Sequence, residues 1–250
     1  RCGISKVETI PAVVEAKPDY MGLVFASSKR QVTVDQAKTL VEELHKQYGN
    51  LYSRDEVQCS NDVVQDGAVI GAVQEGTATG DAHEGILTST ENASPTLIHQ
   101  EAIKTVGVFV NETLENLVTI ATDANLDAVQ LHGDEDEAFI KALKEKTDVE
   151  VWKAVQIRSS TDAEAWIDSS ADMLLFDAYH KDERGGTGEV FDWSCLDEFE
   201  RPFMLAGGID STNVAHAIRT VRPYGIDISS GIETDGVKDD EKIKAFTNID

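Results

Sequence analysis

Residues Asp127–Val155 read DAVQLHGDEDEAFIKALKEKTDVEVWKAV, and this stretch decides the fold. An apolar run at Asp127–Leu131 is followed by a helical pattern over Glu135–Lys146 and by a second apolar run at Glu150–Val155. Short apolar runs read as buried strands, and a period of 3.6 between them reads as an amphipathic helix, so the stretch is a βαβ unit.

The same unit recurs along the chain. Strands are predicted at Tyr20–Phe25, Thr105–Val110, Asp127–Leu131, Glu150–Val155, Met173–Asp177, Phe203–Ala206 and Gly225–Ser229, with a shortened strand before them ending at Cys2 and Gly3, eight in all. Helices are predicted near Lys6–Ala16, Val34–Tyr48, Glu112–Ala124, Glu135–Lys146, Ser160–Asp168, Trp193–Phe199, Ser211–Thr220 and Asp239–Asn248. Strict alternation favours a parallel sheet covered by helices. No glycine-rich dinucleotide fingerprint follows the opening strand, and eight units in 250 residues suit closure. The expected fold is therefore an α/β protein, a single (β/α)8 barrel over residues 1–250. Because the chain opens inside a predicted strand and without Met, a few residues are expected to precede Arg1.

One stretch breaks the rhythm. Residues 49–104 are rich in Gly, Ser, Thr, Asn and acids, with Arg54 and Lys104 as the only basic residues. This insert joins a helix to the next strand, so it is expected on the N-terminal face of the barrel, whereas active sites are built from strand-to-helix loops on the other face. It reads as a mobile surface loop, with a hairpin around Asp66-Gly67 or an oligomer contact as alternatives.

With 22 basic against 46 acidic residues, the formal net charge is −24. That balance argues against nucleic acid and anionic membrane surfaces as partners. No apolar run is long enough to span a bilayer and nothing resembles a secretory leader, so a cytoplasmic protein is expected. Three cysteines, Cys2, Cys59 and Cys195, lack the spacing of a zinc or redox site, and the histidines show no metal-ligand spacing. No metal and no cofactor is expected. So acidic a protein repels anions at long range unless salt screens the field, and a salt-adapted setting is the corresponding expectation.

Candidate chemistry sits where strands end. Cys2 precedes Gly3, and Asp177 closes the apolar run Met173–Phe176. A thiol and a carboxyl group facing each other across a bound sugar can act as base and acid, although a small buried thiol and an N-cap carboxylate are the plain alternatives. Arg30 can take a carboxylate on its planar guanidinium, or form an ion pair with a neighbouring helix in so acidic a protein. Gln130 and His132 share one side of a strand, to contact a sugar or aromatic ring or to form a hydrogen-bonded structural pair, and Asp227 is a carboxylate in an apolar strand that needs a partner or a substrate. Gly207-Gly208 and Ser229-Ser230-Gly231 supply turns whose backbone N–H groups can approach an anion, at the two strand ends where barrels bind phosphate. Gly185-Gly186-Thr187-Gly188 reads as a further phosphate-side loop, or a simple turn.

Taken in order, Cys2-Gly3-Ile4, Ser28-Lys29-Arg30, Val106–Asn111, Gln130–Gly133, Gly185–Gly188 with Phe191-Asp192-Trp193, Leu205–Gly208 and Asp227–Glu233 resemble phosphoribosylanthranilate isomerases of tryptophan biosynthesis. The resemblance implies a cofactor-free Amadori rearrangement of N-(5-phosphoribosyl)anthranilate to 1-(2-carboxyphenylamino)-1-deoxyribulose 5-phosphate. It implies Asp177 as general acid, Cys2 as general base, and Arg30 on the anthranilate carboxylate. Gln130, His132 and Asp227 would orient the substrate, and Gly186, Gly207, Gly208, Ser229, Ser230 and Gly231 would hold its phosphate. The partner is thus a small phosphorylated molecule, and the protein a monomer or homodimer. Two departures stand out: the opening strand is short, and the insert is long. A related histidine-pathway or dual-substrate isomerase is one rival, and a phosphate-binding barrel without catalysis is another.

Overall fold

The computed structural model describes residues 3–61, 102–178, 193–196 and 198–246. Seven strands, β1 (Tyr20–Val24), β2 (Lys104–Phe109), β3 (Ala128–Leu131), β4 (Glu150–Ile157), β5 (Met173–Ala178), β6 (Phe203–Ala206) and β7 (Gly225–Ile226), pair in chain order, all parallel. The helices are α1 (Ile10–Ala16), α2 (Val34–Asn61), α3 (Leu114–Asp123), α4 (Glu137–Lys144), α5 (Ser160–Glu164), α6 (Val214–Val221) and α7 (Asp240–Ala245). Sequential parallel strands, each followed by a helix or, after β5, by a 3-10 turn among the described residues, are the arrangement of a (β/α)8 barrel.

The predicted opening strand forms no ladder among the described residues. Gly3 and Ile4 instead both donate their N–H groups to the Gly22 carbonyl, at 2.9 and 3.1 Å, so the chain lies beside β1. Two donors on one carbonyl, with Gly3 at φ +82°, turn the backbone away from strand direction.

Strand alternation sorts side chains to two faces. Val106, Ala128, Trp152, Ala154, Leu175, Met204 and Ala206 pack together on one face, with Tyr20 and Met173 against them. Val129, Leu131, Val151, Phe176 and Leu205 belong to the other core, shared with Leu40, Leu44, Leu117, Ile140, Leu143 and Ala217 from the helices. The first cluster is the barrel interior. At the N-terminal ends of its strands the Tyr20 and Trp152 rings meet edge to face, 4.7 Å apart. Glu150 accepts from both, at 3.1 Å each, and burial together with that carboxylate pushes the Tyr20 phenol up to about 12. Tyr20 therefore remains a donor at any ordinary pH.

Helix boundaries differ from expectation for local reasons. α2 runs on through Gly49 to Asn61, because Leu51, Arg54, Glu56 and Gln58 are good helix formers and outweigh the glycine. Trp193–Leu196 is a single 3-10 turn rather than the expected longer helix. β7 stops at Ile226 because Ser229 (φ −116°, ψ −77°) leaves the extended region and Ser230–Ile232 forms another 3-10 turn. A short antiparallel hairpin, β8 (Glu233–Thr234) with β9 (Val237–Lys238), was not expected. Asp235 (φ 52°) and Gly236 (φ 76°) make its two-residue turn, where both central residues need positive φ.

By its internal contacts the chain divides into two units, Arg1–Gly49 with Ala102–Asp250, and Asn50–Glu101. The predicted hairpin at Asp66-Gly67 lies outside the described residues.

Candidate active site

The inner-face alternation that buries Ala128 and Leu175 carries on toward the C-terminal strand ends, placing Gln130 and His132 beyond one and Asp177 beyond the other. Register agrees, since Gln130 pairs with Trp152 and Asp177 with Gln156 on β4. His132 Nε2 stands 3.4 Å from Asp177 Oδ2, and Gln130 Nε2 is 2.8 Å from His132 Nδ1. An amide nitrogen only donates, so Nδ1 accepts and the neutral ring carries its proton on Nε2, toward the carboxylate. Gln130 is buried, while His132 and Asp177 are each about 30 % exposed, as groups open to a ligand would be.

Below them the interior is nearly full. A void of about 20 Å³ remains, lined by Gln130, Tyr20, Trp152, Met204 and Asp227 among others. The Asp227 N–H donates to the Leu205 carbonyl at 2.9 Å, continuing the β6–β7 ladder past Ile226. A wider groove of about 590 Å³ is lined by Phe203, at the start of β6, and Tyr224, just before β7. It therefore lies at the opposite strand ends from His132 and Asp177.

The segment carrying His132 is pinned by a buried ion pair missing from the sequence reading. Glu135 accepts from the backbone N–H groups of Asn111 (2.6 Å) and Gly133 (2.9 Å), and Lys153 Nζ lies 3.3 Å from it. Lys153 also donates to the Gly133 carbonyl at 2.6 Å, and both side chains are 3 % exposed. Burial pulls the Lys153 ammonium below its ordinary range, with Glu135 opposing. The signal was present, since a lysine within the apolar run VWKAV must find a partner.

Arg30 does not pair with a helix, the alternative considered from sequence. Its Nε and Nη2 donate to Glu233 Oε1 and Oε2 at 2.6 and 3.0 Å. Lys238 Nζ reaches Glu233 Oε1 at 3.0 Å, Lys29 Nζ reaches Oε2 at 3.4 Å, and Lys242 donates to the Glu233 carbonyl at 2.6 Å. The Arg30 hydrogen bonds, with Lys238 behind them, hold the Glu233 carboxyl well below the usual carboxylate range, at about 2. Three cations on one carboxylate, with a fourth on the same residue's carbonyl, make a locally cationic cluster in a chain of net charge −24.

Glycine geometry shapes the anion loops. Gly207 and Gly208 have φ of 89° and 63°, a left-handed pair that side chains rarely adopt. Asn213 fixes this turn, donating to the Gly208 carbonyl at 2.7 Å and accepting from Asp210 N–H at 3.0 Å. Gly231 lies so close to the Ile209 carbonyl and the Asp210 backbone that no side chain fits there, which lets the loops after β6 and β7 touch. Lys238 ties in the second loop through the Ser229 carbonyl at 2.8 Å.

The structure thus brings Gln130, His132 and Asp177 together, and holds Gly231 against Ile209 and Asp210, just past the Gly207-Gly208 turn. Cys2 and Gly186 lie outside the described residues. Gly3, next to Cys2, sits against Arg30: a Cβ there would be 2.5 Å from Arg30 Cδ. Among the described residues no group of three or more His, Cys, Asp or Glu side chains could hold a metal ion, and no helix is long and apolar enough to cross a membrane.

The family model for N-(5'-phosphoribosyl)anthranilate (PRA) isomerase matches residues 59–249. The chain belongs to the phosphoribosylanthranilate isomerase family. The N-(5'-phosphoribosyl)anthranilate isomerase of Thermoanaerobacter sp. (strain X514) is 38% identical over 247 residues, covering 98% of this chain and 93% of that protein. Among solved structures, the phosphoribosylanthranilate isomerase of Thermotoga maritima is 28% identical with a TM-score of 0.66, covering 98% of this chain and 94% of that one. A phosphoribosylanthranilate isomerase solved with reduced 1-(o-carboxyphenylamino)-1-deoxyribulose 5-phosphate is 26% identical, also with a TM-score of 0.66, covering 99% and 95%. Phosphoribosylanthranilate isomerases are (β/α)8 barrels, and the seven-strand parallel sheet here is that fold.

Proposed function

We propose that this chain converts N-(5'-phosphoribosyl)anthranilate into 1-(2-carboxyphenylamino)-1-deoxyribulose 5-phosphate, with Asp177 as general acid and Cys2 as general base. The observation that carries the reading is the facing pair His132 and Asp177, 3.4 Å apart at the C-terminal strand ends, in a chain 38% identical to a relative of that name.

Asp177 gives its proton to the furanose ring oxygen, the C1–O bond breaks, and the nitrogen lone pair forms a Schiff base. Cys2 as thiolate takes the proton from C2, giving the enolamine. Return of a proton to C1 and loss of the O2 proton yield the ketone, so the overall change is an isomerisation with no net oxidant. Asp177 enters this step as the neutral acid, regaining its proton from solvent between turnovers, and His132 at 3.4 Å positions it.

Arg30 receives the anthranilate carboxylate on its planar guanidinium, and Gln130, His132 and Asp227 orient the sugar. The phosphate lies on backbone N–H groups of the Gly207-Gly208 and Ser229–Gly231 turns, with Gly186 contributing from its loop. A backbone cradle suits an acidic protein because its donors act locally, at distances where the global field matters least.

The test is turnover of freshly made phosphoribosylanthranilate, followed by loss of anthranilate-type fluorescence. Asp177→Asn and Cys2→Ser should each lower turnover by about 10² or more. Full activity in both variants would remove the acid and base assignments, and an inert wild-type protein would remove the isomerase reading itself.

A further inference from the structure

We infer that Glu233 is a positioning residue that presets Arg30 for the substrate carboxylate and locks it to the phosphate loop. The inference rests on the reading that Arg30 receives that carboxylate. It goes further by naming the group that aims the guanidinium and by joining the two anion grips into one rigid unit.

The geometry of the pair carries the argument. Glu233 takes the side edge of the guanidinium, Nε at 2.6 Å and Nη2 at 3.0 Å. A guanidinium is planar, so fixing Nε and Nη2 fixes the plane and the direction of the opposite edge, built from Nη1 and the second N–H of Nη2. That end edge is the fork on which a carboxylate would be received. Gly3 packs close against the aliphatic stem, since a Cβ there would be 2.5 Å from Arg30 Cδ. An arginine held at both stem and side edge loses little rotamer freedom when its ligand arrives.

A carboxylate behind the arginine would ordinarily weaken an anion site. Here Lys238 at 3.0 Å and Lys29 at 3.4 Å lie on the same carboxylate, so the cluster stays cationic. Lys238 also donates to the Ser229 carbonyl at 2.8 Å. Glu233 and Lys238 are each 6 % exposed, so the link from Arg30 through Glu233 and Lys238 to Ser229 is sheltered from water and resists screening. One buried carboxylate therefore sets both the aim of Arg30 and its distance from the loop that grips phosphate.

The experiment compares two substrates, phosphoribosylanthranilate and the phosphoribosyl derivative of aniline, which lacks the carboxylate. Glu233→Gln should raise KM for the first by about tenfold or more while leaving kcat within about twofold, and should barely alter either constant for the second. Glu233→Asp, with its charge kept but its reach shortened, should show a smaller loss of the same selectivity. In an Arg30→Met background Glu233→Gln should add nothing further. Equal losses on both substrates from Glu233→Gln and Glu233→Asp, with Arg30→Met still selective, would overturn this inference alone. Equal losses from Arg30→Met would overturn the Arg30 reading beneath it.

Discussion

His132 stands between two partners that fix its chemistry: Gln130 Nε2 holds its Nδ1 at 2.8 Å, and its Nε2 points at Asp177 Oδ2, 3.4 Å away. The pair differs from an ordinary surface contact because Gln130 is buried and cannot swing away. Removing the amide leaves the imidazole free to present either tautomer to Asp177, only one of which donates. Gln130→Met is therefore expected to lower kcat by roughly tenfold, a part of the usual general acid–base contribution, with KM nearly unchanged. Steady-state turnover decides it, and a change confined to KM would mean that Gln130 serves binding only.

The Glu135–Lys153 pair lies outside the barrel interior but holds the segment on which His132 sits. With both side chains 3 % exposed, removing one partner leaves an uncompensated buried charge. Lys153→Met is expected to cost about 3–5 kcal/mol of stability. Because Glu135 also accepts from Asn111 and Gly133 N–H groups, a double variant with Glu135→Gln should recover only part of that loss. Urea unfolding monitored by tryptophan fluorescence measures both. A cost below 1 kcal/mol for Lys153→Met would show that the lysine stem, not its charge, holds the site together.

Glu233 makes a pH prediction whose sign follows from its depressed pKa, about 2 against 4.5. A carboxylate with a lower pKa in the folded state contributes stability that is fully present above the unfolded value. That contribution fades as pH falls from about 4.5 toward 2. The stability gap between wild type and Glu233→Gln should thus be constant from pH 7 to 5, shrink below 4.5 and vanish near 2. Denaturant midpoints at stepped pH measure it, and taking the difference cancels the general effect of neutralising other acids. A gap that widens on acidification would contradict the assignment of the low pKa to Glu233.

These cases separate what a sequence discloses from what it hides. The strands were legible because Ala128, Gln130 and His132 follow a period of two and because runs such as Met173–Phe176 have no other stable use than burial. The inward placement of Asp177 followed from the same count. Glu233 was seen only as part of a motif, because its partner Arg30 is 203 residues away and nothing local records that contact. Lys153 and the Asp235-Gly236 turn were different: both carried a local signal, a charge in an apolar run and a dipeptide suited to a tight hairpin. The passage of α2 through Gly49 was hidden because a glycine weakens a helix without ending it.

Salt gives the last prediction. At a formal net charge of −24, self-repulsion and repulsion of an anionic substrate both act over the Debye length, about 30 Å in 0.01 M salt but about 3 Å at 1 M. Screening should therefore raise both folding stability and kcat/KM as KCl goes from dilute to molar. The same salt weakens exposed anion contacts, which would cut against the gain at Lys29, whose side chain is 60 % exposed. It weakens the 6 % exposed Glu233–Lys238 contact far less, so the carboxylate grip is expected to survive. The expected profile is a rise that levels off rather than a peak followed by collapse. Thermal melts and initial rates across a KCl series test it, and a flat response in both would mean that the excess of acids serves solubility without limiting fold or function.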